Sequence, residues 1–278
     1  MLPQPETHSL LQERLLVLSE ETLRPRHTVR ALRDEGDAVR VTVDTPAGPH
    51  DLTAGVVVVA DGVRSPLRGA GRFGWRRRGG SATYAMIDVA DPTPDRRAVL
   101  HCEPAGLVES FPLPGARRRW VARQGPEGAL DDPVAFQDAI ESRTGIRPEL
   151  APGENPTVFV AAQHTAARLV RGRVVLLGDA AHEISPIGGQ GMNLGWADAV
   201  HLDAALRRSL PREAPHLAAY ERHVQRSART AQRRSAFYMA MGAPAPGIAV
   251  RGREPLIRVL GSPPLRAATA GLITMRGL

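Results

Sequence analysis

The chain has 278 residues, 42% of them hydrophobic, enough to bury a sizeable core in one large domain or two smaller ones. All 36 basic side chains are arginine against 29 acidic ones, a net charge of +7, yet no aromatic-interleaved basic run or nucleic-acid module accompanies that excess. The lone Cys102 excludes an internal disulfide framework and a cysteine-based zinc site, and it fits a reducing compartment.

No apolar run approaches the roughly 18–20 residues needed to cross a bilayer. The opening residues lack the basic and apolar regions of a signal peptide. The expectation is a cytoplasmic protein with no integral membrane segment, no metal and no nucleic-acid partner. The clusters Arg76-Arg77-Arg78 and Arg117-Arg118-Arg119 have the chemistry to hold phosphate, but the scatter of arginine along the chain favours solvated surface.

Thr7 to Leu18 predicts a helix, with Thr7 as N-cap and Leu11, Leu15 and Leu18 at helical spacing. His27 to Val43 predicts two strands around the turn Asp34-Glu35-Gly36-Asp37, with Val39, Val41 and Val43 alternating with polar residues. A second turn at Pro46-Ala47-Gly48 leads to the apolar run Val56 to Val59, which ends in Ala60-Asp61-Gly62. From Tyr84 to Gln124 short strand candidates alternate with Pro and Gly turns, the pattern of an antiparallel sheet rather than of β-α-β units. Pro133 to Thr144 predicts a helix with Pro133 in its first turn. Val158 to Gln163 predicts a strand, and helices follow over roughly 190–208, 214–241 and 254–275, the last broken near Gly261-Ser262-Pro263-Pro264.

Gly172 to Leu206 organises the rest. Val174 to Leu177 is an unbroken apolar run that suits a strand buried on both faces of a parallel sheet. Gly178-Asp179 then falls at the carboxyl end of that strand, where open α/β sheets place ligands. The loop from His182 to Gly191 contains Pro186, Gly188, Gly189 and Gly191, so backbone can approach a flat ligand closely. The helix that follows aims its free N–H groups and partial positive charge at that place. Asp61 and Asp179 would share one parallel layer.

This stretch resembles the second flavin-binding signature of the FAD-dependent aromatic-ring monooxygenases, the para-hydroxybenzoate hydroxylase-like family that includes polyketide and ubiquinone-ring hydroxylases. The matching residues are Gly178-Asp179-Ala180-Ala181-His182, Pro186, Gly188-Gly189-Gln190-Gly191-Met192-Asn193 and Asp198-Ala199. The resemblance implies that Asp179 holds the ribityl hydroxyls of FAD. It implies that Pro186 packs near the reacting side of the ring, and that the backbone of Gly189, Gln190, Gly191, Met192 and Asn193 borders the ring and stabilises negative charge on it. Ala60-Asp61-Gly62-Val63-Arg64-Ser65-Pro66-Leu67-Arg68 resembles the family's other signature, which implies Asp61 and Gly62 beside the FAD pyrophosphate and ties the segment to nicotinamide cofactor binding. Pro3-Gln4-Pro5-Glu6-Thr7 resembles the family's helix entry, implying a flavin contact from Gln4, although His8 stands where the family usually has Glu. Phe111-Pro112-Leu113-Pro114-Gly115 resembles a hairpin of the substrate-domain sheet.

The fold implied is α/β: an incomplete FAD-binding Rossmann-like layer, an antiparallel-sheet substrate domain and a helical C-terminal region. The corresponding boundaries are 1–78 for the first FAD-binding part, 79–165 for the substrate sheet, 166–210 for the second FAD-binding part and 211–278 for the C-terminal helices. The family's opening β-α-β unit with Gly-x-Gly-x-x-Gly has no counterpart here, so the expectation is a truncated chain, with an exposed sheet edge. The activity implied is hydroxylation or epoxidation of a small aromatic, polyketide or quinone-like substrate with NAD(P)H and O₂. Two alternatives stay open: a non-redox cyclase or binding protein on the same fold, and an inactive fragment partnering a separate chain that carries the absent unit. No side chain is assigned as a catalytic acid or base. His182 reads as a hydrogen-bonded structural residue, His101 and His164 as ordinary half-buried residues, and the Arg222 to Arg234 stretch as a solvated helix face.

Overall fold

The valines of 39, 41 and 43 point one way along their strand and are all buried, which sets the first sheet. In the computed structural model, which describes residues 2–273 apart from 94, 188–190, 210–216 and 246, β1 (Thr28–Asp34), β2 (Val39–Thr45) and β3 (Gly48–Ala54) form an antiparallel meander. The next strand, β4 (Val57–Val59), is followed by a short helix α2 (Pro66–Ala70), whose N-cap Ser65 accepts from the Arg68 N–H, and by β5 (Trp75–Arg77). β6 (Ala82–Ala90), β7 (Val99–Glu103), β8 (Gly106–Leu113), β9 (Arg117–Arg123) and β10 (Thr157–Ala161) make a five-stranded antiparallel sheet in the order β10-β6-β9-β8-β7. The last group is β11 (His164–Ala166), β12 (Val170–Arg171), β13 (Val174–Leu176) and β14 (His182–Glu183). It completes two further three-stranded sheets, β14-β11-β5 and β12-β13-β4. The helices are α1 (Gln4–Leu18), α3 (Pro133–Thr144), α4 (Gly191–Ser209), α5 (Ala218–Met241), α6 (Gly247–Leu260) and α7 (Pro263–Ile273).

The chain divides into two compact units. The antiparallel unit comprises Met1–Leu23, Ser81–Ala161 and Phe237–Thr269, and the parallel-strand unit chiefly Arg24–Gly80 and Ala162–Ala236. In the antiparallel unit, Ala85, Ile87, Val89, Val108, Trp120 and Ala122 from the sheet bury against Phe136, Ala139 and Ile140 of α3. That helix has the predicted ends. Asp132 caps it by accepting from the Ala135 N–H at 2.9 Å, and Gly145 stops it in the left-handed conformation at φ 73°.

In the parallel-strand unit, Val39, Val41, Val43, Val174, Val175 and Leu176 join Leu202, Ala205, Tyr220 and Val224 in one core. β13 runs parallel to β4 with Val174, Val175 and Leu176 opposite Val57, Val58 and Val59. Tyr220 of α5 crosses the core and donates its hydroxyl to the Leu176 carbonyl at 2.8 Å.

Four expectations need correction. The first helix starts at Gln4, with Pro3 as its N-cap and Pro5 in its first turn, because proline needs no N–H partner there. Thr7 is therefore no cap but lies inside the helix and donates its hydroxyl to the Pro3 carbonyl at 3.1 Å. The run from Val56 is a shorter strand than read, and Val58 is 40% exposed, because β4 is the outer strand of its sheet among the described residues. The strand at 158–163 begins one residue earlier and ends at Ala161, paired antiparallel with β6. Residues 1–23, read with the FAD-binding part, group with the antiparallel unit, and Leu10, Leu11, Leu16 and Leu18 of α1 are exposed. No helix among the described residues is long and apolar enough to cross a membrane.

Leu176 is fully buried where β13 meets the Tyr220 hydroxyl. Leu176→Ala is expected to cost about 2–5 kcal/mol, since the surrounding strands cannot close on the space left. Urea denaturation measures it, and a loss below about 1 kcal/mol would contradict the packing described.

Candidate functional site

The site begins where β13 ends. After Leu177 the chain makes a 3-10 turn over Gly178–Ala180, entered by Gly178 at φ +59°. A side chain is disfavoured in that left-handed conformation by about 1–2 kcal/mol. Gly195, in the second turn of α4, lies against it: a Cβ built on Gly195 would stand 3.5 Å from the Gly178 Cα. Two glycines thus let the strand end and the helix approach at backbone distance, and α4 packs directly on the turn that carries Asp179.

Asp179 has an open outer face and makes no hydrogen bond among the described residues. Its carboxyl is held above the usual carboxylate value, first by its desolvated setting, with Glu183 adding to the shift and His182 opposing it. Asp61 and Gly62 lie just past the end of β4, the parallel neighbour of β13, so the two acids occupy adjacent strand ends. Gly62 turns at φ +84° with open space on its Cβ side. Pro186 is exposed after the fully buried Ser185. Gly191, Met192 and Asn193 open α4 among the described residues. Gly189 and Gln190 lie outside the described residues. The structure therefore brings Asp61, Gly62, Asp179, Pro186, Gly191, Met192 and Asn193 into one unit, whereas the exposed Gln4 opens α1 in the other.

Three features of the site were not singled out from sequence. The first is Arg68, the last residue of the Ala-Asp-Gly signature. Its buried guanidinium donates to the Val63 carbonyl at 2.7 Å and to the Ala180 carbonyl at 3.1 Å, joining the loops that follow β4 and β13. It also lies 3.6 Å from the Trp75 ring centroid. Trp75 stacks on His164 at 5.3 Å, and His164 Nδ1 meets Glu183 Oε2 at 2.5 Å. Burial lowers the Arg68 pKa, opposed by Asp61 and Glu183, and a guanidinium stays charged regardless. The signal in the sequence was the spacing of Arg68 from Ser65, three residues on, which places it on the capped turn of α2.

The second is the glycine contact at Gly195. The third is the partner of His182: the histidine is the hydrogen-bonded structural residue expected, and its Nε2 meets the buried Asp198 Oδ2 at 2.5 Å, which ties β14 to α4. His182 Nδ1 is buried without a hydrogen-bond partner. Asp198 was visible only as a letter of the signature, because which residue of a helix meets a loop depends on packing.

Removing the Arg68 guanidinium strands two buried carbonyls and a ring face. Arg68→Met is expected to cost about 3 kcal/mol in chemical denaturation, and Arg68→Lys to restore only part of it, because one ammonium cannot reproduce the planar fork. Wild-type stability in Arg68→Met would remove the strut assigned to it.

The FAD binding domain family model matches residues 1–235. The ubiquinone hydroxylase UbiL of Rhodospirillum rubrum is 36% identical over 220 residues, covering 74% of this chain and 50% of its own. A kynurenine 3-monooxygenase of Salinispora arenicola is 33% identical over 248 residues, covering 77% of this chain and 53% of its own. Among solved structures, the anhydrotetracycline hydroxylase OxyS of Streptomyces rimosus superposes with a TM-score of 0.69 at 26% identity, over 99% of this chain and 57% of that one. The chain thus spans about half the length of the curated relatives it matches. The residues present fit the flavin for which the family is named. An acceptor with no hydrogen bond to the chain among the described residues stands at Asp179, on a turn whose Gly178 is held at φ +59° with the Gly195 backbone in van der Waals contact. By its sequence, its signatures and its fold, the chain belongs to the FAD binding domain family of aromatic-ring hydroxylases.

Proposed function

We propose that the protein of which this chain is part is an FAD-dependent monooxygenase that uses NAD(P)H and O₂ on a small aromatic, polyketide or quinone-like substrate. The observation that carries this reading is Asp179: an exposed carboxylate with no hydrogen bond to the chain among the described residues, at the end of a parallel strand and against a helix that packs on its turn. Such a carboxylate is completed by hydroxyl donors, and the ribityl chain of FAD supplies them. The N–H groups at Gly191, Met192 and Asn193, with those of Gly189 and Gln190, receive the negative charge of the reduced ring. Pro186 offers a flat apolar edge with no donor of its own. Asp61 and Gly62 take the pyrophosphate end. When bound, FAD supplies reduction by NAD(P)H and the activation of O₂, and the protein supplies position and a water-poor setting. The names of the relatives, ubiquinone hydroxylase and kynurenine 3-monooxygenase, suggest the substrate class.

In the reading above, Asp179 works ionised. Because its pKa is raised, FAD affinity should fall as pH drops through a window above the usual carboxylate range, and Asp179→Asn should flatten that dependence. The free fold moves oppositely. A raised folded-state pKa means stability present at low pH is lost as pH rises through that value. At neutral pH, Asp179→Ala should weaken FAD binding about 10- to 100-fold in a fluorescence titration, the range expected for hydrogen bonds to a charged group. Unchanged affinity in that variant would contradict the assignment of Asp179. FAD retention without NADH or NADPH oxidation in the presence of aromatic substrates would instead favour a non-redox protein.

A further inference from the structure

The parallel-strand unit carries a second concavity with a different lining. It is a groove of about 410 Å³ bordered by Arg78, Gln163, Arg229, Gln232 and Arg233, with no carboxylate among its lining residues. Its floor is fixed by hydrogen bonds. Gln232 is buried, and its amide nitrogen donates to the His164 carbonyl at 2.9 Å and to the Glu183 carbonyl at 3.3 Å. The backbone N–H of Arg78 donates to the Gln163 carbonyl at 2.7 Å. The backbone of Arg78 and the α5 turn that bears Arg229 and Arg233 are therefore both fastened to the residues of β11 and its N-terminal flank.

The charge there is uncompensated. Arg229 and Arg233 are four residues apart on α5, a like-charge pair that costs an isolated helix about 0.2–0.5 kcal/mol. Neither these two guanidinium groups nor that of Arg78 has a hydrogen bond or ion pair among the described residues. Arg30, Arg40, Arg119, Arg147 and Arg207 each hold a carboxylate, whereas Arg222 and Arg226 have no ion pair among the described residues either; what sets Arg78, Arg229 and Arg233 apart is that they line one groove together. Three guanidinium groups on residues lining one groove exceed what one carboxylate needs. They match a phosphate or diphosphate, which carries about −1.5 to −2 or more and several acceptor oxygens.

We propose that this groove is a phosphate-binding site, separate from the flavin cradle, that takes the diphosphate group of a small phosphorylated ligand on Arg78, Arg229 and Arg233. The diphosphate of a nicotinamide dinucleotide and free inorganic diphosphate share that chemistry. The inference does not depend on the monooxygenase reading, since it concerns residues outside both signatures.

The test is calorimetric titration of the chain with sodium pyrophosphate. The double variant Arg229→Gln/Arg233→Gln is compared with Arg222→Gln/Arg226→Gln, which removes the same charge from the same helix outside the groove. All four positions are exposed, and circular dichroism checks the fold. The expected result is saturable binding that weakens tenfold or more in the first double variant and less than twofold in the second, and that falls as salt rises. NADPH competing with pyrophosphate in the wild type would identify the dinucleotide as the source, and binding without competition would identify free diphosphate. Absence of saturable pyrophosphate binding to the wild type, or equal weakening in both double variants, would overturn the proposal.

Discussion

Arg68 donates across 112 residues of sequence to the Ala180 carbonyl while holding the Val63 carbonyl in its own loop. Taking a guanidinium out of water costs several kcal/mol unless its donors are met, and here backbone carbonyls and the Trp75 face meet them. The parallel pairing that brings the two signatures near each other is only three residues long on each strand. So short a ladder sets direction but fixes little beyond its ends. The loops that follow, where Asp61 and Asp179 stand, take their relative position from the buried arginine. The stack of Trp75 on His164, and the bond from His164 to Glu183, extend that support to β14.

Much of this architecture was legible because it depends on short-range pattern. Alternation at Val39, Val41 and Val43 fixed a half-buried strand, and all three are core residues. Pro133 and Gly145 bound α3 to the residue, because a proline in the first turn and a left-handed glycine after the last act locally. The Pro263-Pro264 pair split the tail helices where expected. The apolar run at Val174 became a fully buried parallel strand. What failed was non-local. The partial exposure of β4 follows from which strands flank it, and the sheet joined by Thr157–Ala161 is set by pairing with a segment some 70 residues earlier. The leucines of α1 have helical spacing, but spacing cannot tell whether a helix face is covered.

The site divides in the same way. Asp179, Gly191, Met192 and Asn193 were readable because a strand end, a glycine loop and a helix start follow one another in sequence. Gly195 was not, since its significance lies in facing Gly178, and neither was Asp198, since its partner His182 sits on a different element. The basic stretch on α5 was read as a solvated face. Its composition gives no hint that Arg229 and Arg233 line one groove with Arg78.

The electrostatics of Asp179 show why the strand end suits a ligand rather than the free fold. A carboxylate beside a helix N-terminus ordinarily gains about 0.3–1 kcal/mol from the helix dipole, which would lower its pKa. At Asp179 the pKa is raised instead, so desolvation together with the Glu183 charge outweighs the nearby helix and His182. The carboxylate faces outward while no donor from the chain answers it among the described residues. Hydrogen bonds to an ionised group contribute about 1.5–3 kcal/mol, more than the helix supplies, so hydroxyl donors arriving with a ligand restore what the folded chain leaves unmet.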